Sequence, residues 1–142
     1  MLITTFLLLI TSECFAPAGP SMIVRPEPIN PYEKIWNVIC EVESSGNYLA
    51  YHMEDNGFPS VGIAQVQYSR IIDFNRRTGN NYTLMDMYLP DKAKVVFMYY
   101  ASEFNPNDNE SISRCWNGGP TGMNKKSTEK YYLKVQTLLS QL

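Results

Sequence analysis

From residue 30 onward, proline and glycine fall where helices start and stop, and this punctuation constrains the chain more than any other feature. Asn30-Pro31-Tyr32-Glu33 reads as a helix start: Asn30 can cap, Pro31 suits the first helical position, and Glu33 stands where a capping box places its acid. The helix is predicted to run to residue 44 or 45, with Gly46 able to end it in left-handed geometry. Residues 50–66 lack a helical period and contain Gly57, Pro59 and Gly62, so a loop with one or two short strands is expected. A second helix is predicted over 68–77, closed by Gly79, and Thr83 with Asp86 forms a capping pair for one short turn. Pro90-Asp91 opens a third helix that ends before Pro106. Asn109 can cap a fourth through Trp116, stopped by Gly118-Gly119-Pro120. Ser127 or Thr128 begins the last, with Tyr131, Val135, Leu138 and Leu139 at helical spacing. The fold class predicted is mainly α: a single small helical domain with one irregular or short-stranded lobe.

Composition agrees with one such domain. The chain has 142 residues, of which 44% are hydrophobic, within the usual domain size of ~100–150 residues. A net charge of −2 argues against a general nucleic-acid binder. Three cysteines are too few for a disulfide scaffold, and one histidine, His52, argues against a multi-histidine zinc site; His52 itself is expected as a polar surface residue. No metal and no organic cofactor are expected. From Ile112 onward, Arg114, Lys125, Lys126, Lys130 and Lys134 face only Glu129, which reads as a basic patch for an anionic polymer or as a solvated helix face.

The N-terminal stretch is set apart from the fold. Residues 1–10 are almost all apolar but too few to span a bilayer, which takes about 20 residues. Ala16-Pro17-Ala18 follows as a small-x-small cleavage site. Glu13 beside Cys14 disfavours a lipoprotein, so residues 1–18 are expected to be a signal peptide, with an uncleaved anchor as the alternative. Residues 19–30, carrying Pro20, Pro26 and Pro28, form a proline-rich leader, and 31–142 the domain. The protein is expected in the cell envelope, secreted or periplasmic, without stable membrane insertion after cleavage, and as a monomer.

On a helical wheel, Ile35, Val38, Ile39 and Val42 form the apolar stripe of the first helix, with Trp36 and Cys40 on one flank. Glu33, Lys34, Asn37 and Glu41 lie opposite. Glu43 joins neither group and sits at the edge of the buried face. Desolvation there raises a carboxyl pKa, as a general acid requires; a bond to a nearby backbone donor at the helix end is the alternative reading. Tyr48, Tyr51, Tyr68, Tyr99, Tyr100, Tyr131 and Tyr132 could supply stacking faces, most of them as core or core-edge residues.

Four short motifs follow one another in order: Glu43-Ser44-Ser45-Gly46-Asn47, Gly62-Ile63-Ala64-Gln65, Trp116-Asn117-Gly118-Gly119-Pro120, and a tyrosine at 131. Together they resemble the catalytic domain of the soluble lytic transglycosylases, lysozyme-like relatives of goose-type lysozyme. The resemblance runs from about Tyr32 to Leu139 and implies a lysozyme-like fold. It implies Glu43 as catalytic acid/base, with Ser44, Asn47, Gly62, Gln65, Trp116, Asn117 and Tyr131 binding substrate or lining the cleft. Ala64, Trp116 and Ser127 depart from the family's usual methionine, tyrosine and second glutamate. The implied function is a peptidoglycan lytic transglycosylase, which cleaves glycan strands with formation of a 1,6-anhydro ring and needs one carboxylate. A muramidase of the same fold, with Asp55 as second carboxylate, is one alternative; a non-catalytic cell-wall-binding or structural protein is another. Glycan strands are the expected partner. If the first and third motifs meet, Cys40 and Cys115 could form a disulfide; two separate thiols are the other possibility.

Overall fold

The computed structural model describes residues 28–53 and 57–142. The expected signal peptide and most of the expected leader lie outside the described residues, as do Glu54 and Asp55. Five helices and a small antiparallel sheet follow in the order α1 (Glu33–Ser44), β1 (Tyr51–Met53), β2 (Pro59–Val61), β3 (Val66–Gln67), α2 (Tyr68–Thr78), α3 (Pro90–Ala101), α4 (Asn109–Gly118) and α5 (Lys126–Leu139). The described residues are therefore mainly α, and none of these helices is long and apolar enough to cross a membrane.

Local chemistry accounts for most boundaries. The Asn30 side chain accepts from the Tyr32 amide at 3.0 Å and its carbonyl from the Glu33 amide at 3.1 Å. Asn30-Pro31 thus forms a turn ahead of α1, which starts at Glu33, two residues later than the first helical position expected. Ser45 and Gly46 both adopt positive φ at its end, and the Gly46 amide reaches back to the Cys40 carbonyl. In the 50–66 segment three strands form rather than one or two. They pair in sequence order, Tyr51 with Val61 and Ser60 with Gln67 among the partners. The Thr83 amide and hydroxyl both donate to one Asp86 oxygen, at 2.7 and 2.8 Å, and set up the 3-10 turn Met85–Tyr88. The cap of α4 is Asp108, which accepts from the Ser111 amide at 3.0 Å; Asn109 lies inside the helix.

The core gathers Ile35, Trp36, Val38 and Ile39 from α1, Ile71 and Phe74 from α2, Val96 and Phe97 from α3, Ile112 and Trp116 from α4, and Val135 from α5. Trp36 and Cys40, expected on the flank of the α1 stripe, are fully buried, whereas Val42 is only partly covered. Phe97 lies between Trp36 and Trp116, with ring centroids 5.2 and 5.1 Å away.

Arg114 corrects the reading of the C-terminal cations. It is buried rather than part of a basic surface, and it joins α4 to α5. Its Nε donates to the Thr128 hydroxyl at 3.1 Å, and its Nη atoms donate to Glu110 and to the Met123 carbonyl, each at 2.7 Å. Of the seven candidate tyrosines, Tyr131 is buried and Tyr99, Tyr100 and Tyr132 are half-buried, so most are core or core-edge as expected, while Tyr48, Tyr51 and Tyr68 are exposed.

Candidate functional site

A cleft of about 1040 Å³ opens between the sheet and α2, α3 and α4. Glu43, Gln65, Trp116 and Asn117 line it, so the end of α1, the turn after β2 and the end of α4 meet at one cleft. Asp55 lies outside the described residues.

Glu43 is half-buried in the last turn of α1. The Tyr131 hydroxyl of α5 donates to its Oε1 at 2.8 Å. Burial, and then the negative charge of Glu43, push the Tyr131 hydroxyl well above the usual tyrosine range. The hydroxyl therefore stays protonated and remains a donor. The backbone partner considered for Glu43 is thus joined, or replaced, by a side chain from the far end of the sequence.

Ser44 donates to the Ile63 carbonyl at 2.8 Å and ties α1 to the turn that carries Gln65. Gly62 has φ +77, and an added Cβ would overlap the Met87 carbonyl oxygen, so only glycine fits there. Gln65 itself holds a positive φ of 48; its amide donates to the Gly62 carbonyl and its Oε1 accepts from Ser60, each at 3.0 Å. This pinning aims a polar side chain into the cleft at some conformational cost. The Trp116 indole donates to the Ala64 carbonyl at 3.3 Å, so its ring supports the turn as well as the cleft wall. Asn47 is exposed and organises its own loop by accepting from the Leu49 amide at 3.0 Å. Ser44, Asn47, Gly62 and Tyr131 hold the site without lining it; Asn117 is exposed at its mouth.

Cys40 and Cys115 are free thiols, so the bond left open by the sequence is not formed. Burial pushes the Cys40 thiol up to about 12. Among the described residues, no group of three or more His, Cys, Asp or Glu could hold a metal ion.

The cleft also contains residues that the motifs do not mark. Arg70, on α2, stacks 4.3 Å from the Trp116 ring and lies 4.9 Å from that of Tyr100. Its Nη2 donates to the Trp116 carbonyl at 2.7 Å. Asp73 accepts from Arg76 at 2.6 Å and from the Tyr100 hydroxyl at 2.9 Å, and pairs with Arg77 at 2.7 Å. The Arg76 bond foremost, then those from Tyr100 and Arg77, hold its carboxyl at about 2. His52, exposed as expected, lies at the cleft edge.

The fold is similar to that of a solved structure. It matches a chain of the crystal structure of Aeromonas hydrophila PliI in complex with Meretrix lusoria lysozyme. The TM-score is 0.61 and the identity 23%, over 75% of this chain and 88% of that one. No family model matches the sequence, and no curated protein matches it. These findings correct the resemblance drawn from the motifs. The complex pairs PliI with a lysozyme and contains no soluble lytic transglycosylase, and a likeness at this identity carries a fold without an activity. Membership of that family, the assignment as an enzyme acting as a peptidoglycan lyase, and the alternatives attached to it do not stand. The acid/base role of Glu43 loses the family it rested on, and glycan strands lose their place as the named partner.

Proposed function

We propose that this chain is an extracytoplasmic binding domain whose cleft receives a segment of a partner protein. The cleft carries the reading: at about 1040 Å³ it has room for an inserted loop, and polar side chains are fixed along it before any ligand arrives. Preorganisation of this kind lowers the ordering cost of association. The likeness to a chain crystallised within a protein complex supports the same reading. Glu43, Gln65, Trp116 and Asn117 meet the ligand, while Ser44, Asn47, Gly62 and Tyr131 hold them in place. Residues 1–18 serve as the export signal, 19–30 as the leader, and 31–142 as the binding domain, which acts as a monomer.

Calorimetric titration of the chain, starting at Gly19, with Aeromonas hydrophila PliI and separately with Meretrix lusoria lysozyme tests this. Saturable binding to one of the two is expected, weakened by Asn117→Arg at the cleft mouth. No binding to either would overturn the proposal. So would release of soluble glycan fragments from purified cell walls by the chain but not by Glu43→Gln.

A further inference from the structure

Two arginines of this fold are drawn into it, Arg114 buried and Arg70 half-buried, and they are treated differently. Arg114 spends its donors on Glu110, Thr128 and the Met123 carbonyl, and lies 3.7 Å from Glu129. Its charge is answered inside the protein. Arg70 makes no ion pair among the described residues. Its hydrogen bonds run from Nη2 alone, to the Trp116 carbonyl and, at 3.4 Å, to that of Cys115.

Those carbonyls lie in the last turn of α4, where that of Cys115 also accepts from the Gly119 amide, and a helix C-terminus carries about half a negative charge. About half of the guanidinium charge therefore has no ion-pair counterpart among the described residues. Glu43 acts on Arg70 through space, but its carboxylate is engaged by Tyr131 rather than joined to Arg70 in an ion pair. The Nε–H and the two Nη1–H donors have no partner among the described residues. Trp116 and Tyr100 hold the guanidinium by its plane, so these unspent donors present their edge to the cleft that Arg70 lines. The other cleft cations offer nothing equivalent: Arg77 is paired with Asp73 and Glu103, and Lys125 caps the Gly118 carbonyl at 2.6 Å.

A half-buried cation with spare, planar, fixed donors matches a carboxylate, which accepts two parallel N–H bonds in one plane. We propose that Arg70 is a carboxylate-recognition residue, and that the segment entering the cleft presents an acidic group to it. This rests on the binding reading above and names the chemistry that the partner must bring.

The test uses small probes, so it does not depend on finding the partner. The Arg70 Nε–H resonance of the isotopically labelled chain is followed while three blocked residues are added. Ac-Glu-NH2 carries a side-chain carboxylate, Ac-Gln-OH a C-terminal one, and Ac-Gln-NH2 none. A saturable shift is expected with a carboxylate probe, at about tenfold higher affinity than any with Ac-Gln-NH2, the factor one charge-assisted hydrogen bond carries. Comparing the first two probes tells a side chain from a chain end. Glu43→Gln removes the competing charge and is expected to tighten carboxylate binding, whereas Arg70→Gln abolishes it. Equal response to all three probes, or weaker binding in Glu43→Gln, would overturn the assignment. Carboxylate binding without any protein partner would keep the site and reject the partner; partner binding without carboxylate response would do the reverse.

Discussion

Replacing Gly62 by alanine separates two costs that usually travel together. Gly62 sits at φ +77, and an added Cβ would overlap the Met87 carbonyl oxygen and lie 2.9 Å from its carbon. Gly46 has nearly the same backbone, φ +74, with no atom near an added Cβ. Left-handed backbone costs an L-residue about 1–2 kcal/mol, which is the whole expected effect of Gly46→Ala. Gly62→Ala adds an overlap with main chain, which cannot rotate aside as a side chain can. Overpacking of this sort costs about 1–3 kcal/mol, for a total of about 2–5 kcal/mol. At roughly 4 °C per kcal/mol for a domain of this size, Tm falls by about 4–8 °C in Gly46→Ala and about 8–20 °C in Gly62→Ala. Thermal melts followed by circular dichroism measure both. Equal losses in the two variants would refute the close approach of the Gly62 turn to Met87, and with it the account of how Gln65 is held in the cleft.

Thr128→Val preserves shape but leaves the Arg114 Nε without its acceptor and removes the one hydroxyl proton within reach of the Gly122 and Lys125 carbonyls, each of which keeps a backbone amide. A loss of about 1–3 kcal/mol is expected, read from the urea midpoint; an unchanged midpoint would contradict the role given to this hydroxyl. Cys40, its thiol pushed up to about 12 mainly by burial, is expected to resist a chromogenic disulfide reagent at mildly alkaline pH until the chain unfolds. Labelling of Cys40 in the native state, located by peptide mapping, would show the site to be open. Asp73 is held at about 2 in the folded chain against an ordinary 3.8. Its contribution to stability is therefore complete above the unfolded value and is lost as pH falls from about 4 through 2. Asp73→Asn is expected to lower stability at neutral pH and flatten the acid limb of a denaturation series; an unchanged limb would count against the Arg76 and Tyr100 bonds.

What the sequence revealed follows the range of the forces involved. Gly79 ends α2 and Thr83–Asp86 sets the 3-10 turn, and both depend on groups within three or four residues. The α4 cap was misplaced by one residue because Asn107-Asp108-Asn109 offers three consecutive candidates, and only the fold selects Asp108. The third strand was missed because Val66 and Gln67 are too few to show a period; they become a strand by pairing with Val61 and Ser60. In the site, Glu43, Gln65, Trp116 and Asn117 were legible because they stand in short motifs. Arg70 was not, although it precedes buried Ile71 by one residue and Phe74 by four. The wheel that placed Glu43 at the edge of an apolar stripe would have placed Arg70 there too.

The motif at 116–120 persuaded as chemistry, yet much of it is architecture. Trp116 fills the core against Phe97 and bonds the Ala64 carbonyl, which joins α4 to the Gln65 turn. Gly118 gives its carbonyl to Lys125, and Gly119 takes a positive φ that turns the chain out of α4. Gly122, just beyond, admits no Cβ because it passes against the Arg114 main chain. These needs explain the tryptophan and the glycines without any reaction. Only Asn117 is exposed at the cleft mouth with its side chain given to no partner among the described residues. Architectural contacts of this kind are set by packing alone and so persist whether a cleft binds or turns over its ligand. Short motifs therefore marked residues that line one cleft while resembling a family the comparisons do not support. The residues that decide what enters are those with spare bonding capacity, and among the described cations of the cleft Arg70 has the most.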